Sequence, residues 1–180
     1  MRIGKEHTTG LVVDIQERLF PAMAGKEEFL RNTLILIKGL QVLGIPLVVT
    51  QQYTRGLGET LPEIREAIAG FSFLEKRDFS CCDEPAVLEN LARLRTEQVI
   101  LFGIESHVCV LQTALDLKEA GMVPIVVADA ITSRSLNSLD LARERFRHEG
   151  IMMTSAEAIL FEILRSSAAP EFKDISRLVK

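Results

Sequence analysis

Three side chains of complementary chemistry stand at separated points of the chain: Asp14, Lys76 and Cys109. A cysteine attacks a carbonyl only after something takes its proton and something holds the charge left behind, roles suited to a carboxylate and an ammonium. Each of the three closes or follows a run that reads as a β-strand. Asp14 ends Thr9–Asp14, Lys76 ends Phe71–Lys76, and Cys109 comes just after Val99–Gly103, in the first turn of a helix expected over Ser106–Ala120. There the unpaired N–H groups and the positive dipole end favour thiolate over thiol. Taken singly, each residue has a plainer reading. Cys109 is equally an inert core thiol between Val108 and Val110, Asp14 a cap of the loop that follows, and Lys76 one charge of a solvated cluster with Glu75, Arg77 and Asp78. Only their meeting at one place carries chemistry.

The elements that must bring them together alternate in type. Further strands are expected at Ile45–Thr50, Val123–Ala128 and Ile151–Met153. Helices are expected over Glu27–Leu43, after Pro62, from Asp83 and Pro85 through Leu94, and over Ser138–Glu149. Thr154 with Glu157 three residues on is a capping-box signature for a last helix through Leu164. Gln51–Gly58 reads as a long polar loop, and the polar tail from Ala168 carries no assignment. This alternation predicts one α/β domain over 1–180, a three-layer sandwich with a central parallel sheet and helices on both faces. Ligands of such sheets bind beyond the carboxyl ends of the strands, where the strand order reverses, and all three residues fall at such ends.

Composition narrows the classes. The 180 residues are 47% hydrophobic and 26% charged, enough apolar content for one substantial core. No apolar run approaches the roughly 18 residues of a membrane span. The polar stretch Met1–His7 lacks the pattern of a secretory signal, so the expected compartment is the cytoplasm. Three cysteines, two of them adjacent at Cys81 and Cys82, argue against a disulfide framework. A net charge of −4, no basic run, no Trp and a single Tyr argue against a nucleic-acid partner. Neither glycine-rich nucleotide-binding pattern occurs.

The order Leu11-Val12-Val13-Asp14-Ile15-Gln16, then Lys76 ahead of Asp78-Phe79, then Gly103-Ile104-Glu105-Ser106-His107-Val108-Cys109-Val110-Leu111-Gln112-Thr113-Ala114, closely resembles the isochorismatase-like cysteine hydrolases. The resemblance spans roughly 8–165, and the loop from Gln51 to Gly58 is most similar to the isochorismatase-domain branch, whose substrates are poorly defined. It implies Asp14 as general base, Lys76 as stabiliser and Cys109 as nucleophile in hydrolysis of a small amide through a thioester. It also implies a non-proline cis peptide at Ile104–Glu105 and an oxyanion hole from the N–H groups of Glu105 and Cys109. The aspartate and two histidines that hold a metal in related nicotinamidases have no counterpart in Gln51-Gln52-Tyr53-Thr54-Arg55. His7, His107 and His148 have no ligand spacing, so neither metal nor cofactor is expected. Gln16, Phe20 and Gln52, just past strand ends, are candidates for the substrate pocket, with loop packing the alternative; His107 lines the pocket or lies on the helix surface. The expected partners are a small-molecule substrate and, from the apolar helix Ser106–Ala120 and the resemblance, further copies of the chain. Two other functions stay open: vinyl-ether hydrolysis without a cysteine nucleophile, and an interaction protein that keeps the fold without turnover.

Overall fold

A computed structural model describes residues 2–180; Met1, counted in the polar N-terminal stretch, lies outside them. The chain runs β1 (Thr8–Val13), α1 (Lys26–Val42), β2 (Leu47–Gln52), α2 (Thr54–Leu57), α3 (Pro62–Ala67), β3 (Leu74–Lys76) and α4 (Pro85–Arg93). It continues through β4 (Gln98–Ile104), α5 (Leu111–Glu119), β5 (Val123–Thr132), α6 (Leu136–His148), β6 (Met152–Thr154), α7 (Ala156–Leu164) and α8 (Phe172–Leu178). All strand pairs are parallel, in the order β3-β2-β1-β4-β5-β6, so the direction of winding reverses between β1 and β4. In sheets of this kind the crevice beyond the strand ends at such a reversal, here past Val13 and Ile104, is where ligands bind.

Because successive strand residues point to opposite faces, each central strand feeds two cores. Val12, Val49, Ile100, Phe102, Ile125 and Val127 pack under α1, α3, α7 and α8. Leu11, Val13, Val48, Val99, Leu101 and Val126 pack under α4, α5 and α6. The expected three-layer sandwich is therefore the observed one. The apolar side of the helix after Ser106 is covered as well: Val110, Ala114 and Leu117 are fully buried in the second core.

One contact between central strands fixes the crevice. Gly103 lies opposite Val13 in register, at a φ of +131°, and a Cβ there would stand 2.1 Å from the Val13 carbonyl oxygen. Only glycine lets β4 come this close to β1.

Several boundaries differ from those expected. Gln51 and Gln52 continue β2, their amides being satisfied by side chains and backbone around them, so the polar loop begins only at Tyr53. Pairing between β4 and β5 jumps from Leu101–Val126 to Gly103–Ile131, a bulge that lets β5 resume beyond Ala128 and reach Thr132. The cap of α4 is Glu84 rather than Asp83, that of α6 is Ser135, and that of α7 is Ser155 rather than Thr154. In the tail, α8 buries Ile175 against the core beneath α1.

Candidate active site

Asp14, Lys76 and Cys109 meet in the crevice. Asp14 leaves β1 at a φ of +52°, a left-handed turn that Asp tolerates better than most residues, and its side chain is fully buried. Its Oδ1 accepts a 2.8 Å hydrogen bond from the Thr50 hydroxyl on β2. Its Oδ2 lies 2.7 Å from Lys76 Nζ, with both side chains closed to solvent. The ammonium, however, aims its protons elsewhere. It donates to Gln52 Oε1 at 2.6 Å, to the Phe79 carbonyl at 3.0 Å and to the Asp78 carbonyl at 3.1 Å. Three acceptors use up what an ammonium can donate. Asp14 Oδ2 thus faces a positive charge yet has no hydrogen-bond partner of its own among the described residues.

Cys109 is near enough for its thiol and the Asp14 carboxylate to affect one another's ionisation as hydrogen-bonding partners. It lies in a π-helical turn over Ser106–Val110 that precedes α5, where an ordinary α-helix was expected. The Glu105 carbonyl accepts from both Val108 at 3.1 Å and Val110 at 3.2 Å, which widens the turn. The Ile104–Glu105 peptide is cis, as the resemblance implied.

The charges of the group follow from burial. Burial raises the Asp14 carboxyl above its usual range, opposed by the Lys76 ammonium and its hydrogen bonds. Burial pulls Lys76 down, but the negative charge of Asp14, with that of Cys81 and Cys109, together more than offsets it and raises the ammonium above its usual value. For Cys109 the helix-end argument pointed to a lowered thiol, and the structure corrects it. Burial, aided by the Asp14 charge and opposed by Lys76, pushes the thiol up to about 12. Burial thus favours the thiol over the thiolate at Cys109.

The other candidates divide. Gln52 does reach the group, as the acceptor for Lys76, and its Nε2 donates to the Arg77 carbonyl. Gln16 is a brace: its amide donates to the Gln52 and Gly58 carbonyls at 3.0 and 2.7 Å and accepts from the Gln52 N–H at 2.7 Å. Phe20 lies in a short helical turn, its ring tilted against Phe29 at 6.4 Å on the fringe of the core. His107 is half-buried, with Nδ1 2.9 Å from the Ser133 hydroxyl. The sequence reading missed Thr50, whose hydroxyl orients Asp14, and Cys81. The latter is a fully buried second thiol 3.8 Å from Thr50 Oγ1, pushed up to about 12 by burial and the Asp14 charge. The strand end before the Gln51–Gln52 pair was the signal for Thr50; nothing local marks Cys81. No group of three or more His, Cys, Asp or Glu suited to a metal occurs among the described residues.

Sheet order and covering helices define a three-layer α/β domain with a buried acid, ammonium and thiol beyond its strand ends. Residues 8–158 match the family model described as an isochorismatase domain, and the chain belongs to the isochorismatase family. It is 38% identical over 169 residues to isochorismatase domain-containing protein 1 of Danio rerio, across 93% of this chain and 59% of that protein. It is 34% identical over 180 residues to isochorismatase domain-containing protein 2 of Danio rerio, across 98% of this chain and 90% of that one. A solved structure described as MAR1 ribonuclease from Caenorhabditis elegans superposes with a TM-score of 0.93 at 35% identity, covering 99% of this chain and 92% of that chain.

Proposed function

We propose that this protein is a cysteine-dependent hydrolase of small amides, with Asp14 as base, Lys76 as charge stabiliser and Cys109 as nucleophile. The observation that carries the reading is the buried convergence of the three: Asp14 Oδ2 lies 2.7 Å from the Lys76 ammonium, whose aligned hydrogen bonds go to Gln52, Asp78 and Phe79, and the Cys109 thiol is close enough to act on the carboxylate. An oxygen whose charge is compensated by an ion pair, but which no aligned donor among the described residues ties up, is free to take a proton. A carboxyl raised by burial is also a stronger base than a solvated one.

In the proposed reaction Asp14 takes the Cys109 proton as Sγ bonds to the substrate carbonyl carbon. The N–H groups of Glu105 and Cys109 hold the resulting oxyanion, where one donor typically contributes about 3 kcal/mol. Collapse breaks the C–N bond, and the amine leaves with the proton from Asp14. Water then gives a proton to Asp14 and attacks the thioester, the acid departs, and Asp14 returns the proton to sulfur. Throughout, Lys76 favours the anionic forms of its neighbours.

The test is ammonia release across a panel of small primary amides, with Cys109→Ala beside the unmodified protein. Release abolished by the substitution is the expected result; release that survives it unchanged removes the nucleophile. RNA belongs in the panel as the contrasting substrate, given how the nematode relative is described. A net charge of −4 and a thiol only 7% exposed favour a small neutral carbonyl compound over a polyanion.

Self-association is part of the proposal, on a different footing from the one expected. With the helix after Ser106 covered, large apolar side chains exposed on α6 are Leu136 and Leu141. Light scattering should find more than one copy per particle, and fewer on Leu141→Glu. No described helix is long and apolar enough to cross a membrane. The three cysteines are all free, which suits the reducing cytoplasm proposed as the compartment.

A further inference from the structure

The turn that carries Cys109 is laced to the end of β5 by three successive residues on each side. Ser106 Oγ donates to the Thr132 carbonyl at 2.8 Å, and His107 Nδ1 lies 2.9 Å from Ser133 Oγ. The third tie is the strongest. The Glu105 carboxylate accepts from the Arg134 backbone N–H at 3.0 Å, from its Nε at 3.0 and 3.2 Å and from its Nη2 at 2.6 Å. The segment is anchored in turn, since Thr132 Oγ1 donates to the Ala24 carbonyl at 2.6 Å and the Ala24 N–H to the Ser133 carbonyl at 3.0 Å. Nothing in these contacts reaches Asp14, Lys76 or Cys109 directly. They act on the residue whose carbonyl opens the Cys109 turn.

Glu105 is 6% exposed and Arg134 is 65% exposed at the side chain, so a surface guanidinium reaches inward to fix a buried carboxylate. A two-pronged guanidinium–carboxylate contact sets orientation as well as distance, which a single ammonium does not. We infer that Arg134 is a positioning residue: by clamping Glu105 it fixes the backbone N–H groups of Glu105 and Cys109 toward one point. The inference rests on the acyl-transfer reading of the site, and it assigns a role to a surface arginine 29 residues from its partner in sequence.

The test separates a held oxyanion from a reactive sulfur. A small aldehyde such as propionaldehyde adds reversibly to a thiol: the S–C bond forms as the C=O π bond opens, the thiol proton passes to Asp14, and the oxygen left anionic needs the N–H donors; alkylation by iodoacetamide, which expels iodide, needs only the sulfur. Protection of Cys109 from iodoacetamide by propionaldehyde is read by peptide mass mapping in the unmodified protein, Arg134→Met, Arg134→Lys and Glu105→Gln/Arg134→Met. Arg134→Met should need about 10- to 100-fold more aldehyde for equal protection, the scale of a slightly misplaced reacting group, with alkylation in its absence retained. Arg134→Lys should recover part of the loss. The double variant, which has no unpaired carboxylate, should keep the loss. Protection undiminished in Arg134→Met, or restored in the double variant, overturns the clamp. Absence of protection in the unmodified protein overturns the acyl-transfer reading and the clamp with it.

Discussion

Two ion pairs flank the same turn and are built on opposite plans. Asp14–Lys76 is closed to solvent at both ends, yet the ammonium directs its protons to Gln52, Asp78 and Phe79 and leaves Asp14 Oδ2 without a hydrogen bond. Glu105–Arg134 has one end in water, yet both carboxylate oxygens are filled by a backbone N–H and a guanidinium. The difference separates two uses of charge. A pair that fastens the chain fills its acceptors; under the proposed function, the buried pair leaves one free to take a proton.

The contrast can be broken most severely where β1 and β4, the strands leading into Asp14 and Glu105, meet at Val13 and Gly103. Gly103→Ala places a Cβ against the Val13 carbonyl in a conformation that favours glycine, so a loss of about 5 kcal/mol or failure to fold is expected in urea denaturation. Next comes Lys76→Met, which strands a buried carboxylate. It should cost about 3–5 kcal/mol, and Asp14→Asn added to it should restore part of the loss. Arg134→Met should cost only about 1 kcal/mol, because its guanidinium is mostly solvated. A clamp worth as much as the buried pair would erase the distinction.

Acid provides the finest comparison, since the two carboxyls shift in opposite directions. Glu105, held below its usual 4.5 by Arg134 against the effect of burial, contributes stability that is present above 4.5 and lost as pH falls through its lowered value. Asp14, raised above 3.8 by burial, behaves the other way: its protonation favours the folded state as pH falls through its raised value toward 3.8. Urea midpoints between about pH 6 and 3 should therefore fall less steeply in Glu105→Gln than in the unmodified protein, and more steeply in Asp14→Asn. Equal slopes would mean that the two pairs respond to acid alike.

The sheet was legible because parallel strands buried on both faces are nearly continuous apolar runs, and the strand ends carried Asp14, Lys76 and the Cys109 segment in plain view. What lay hidden was contact across the sheet. The hydroxyl of Thr50 looks like any strand residue until β2 pairs with β1 and brings it to Asp14. The Glu105–Arg134 clamp depends on a bulge that lets β5 return to β4 at Ile104–Thr132, and no periodicity announces that. For Gln16 the residues left pocket lining and loop packing both open, and only the fold shows its amide consumed by Gln52 and Gly58. The thiol's ionisation was misread for a related reason: a helix end was visible in the residues, while the burial that outweighs it comes only with the fold.

Cys81 gives the molecule a gauge of its own breathing. It is sealed from solvent while Cys109 keeps a sliver of surface, although the same carboxylate bears on both and burial lifts both thiols to about 12. An electrophile can reach Cys81 only when that part of the structure opens, so the lag between the two sulfurs in one labelling time course measures the free energy of local unfolding beside the site.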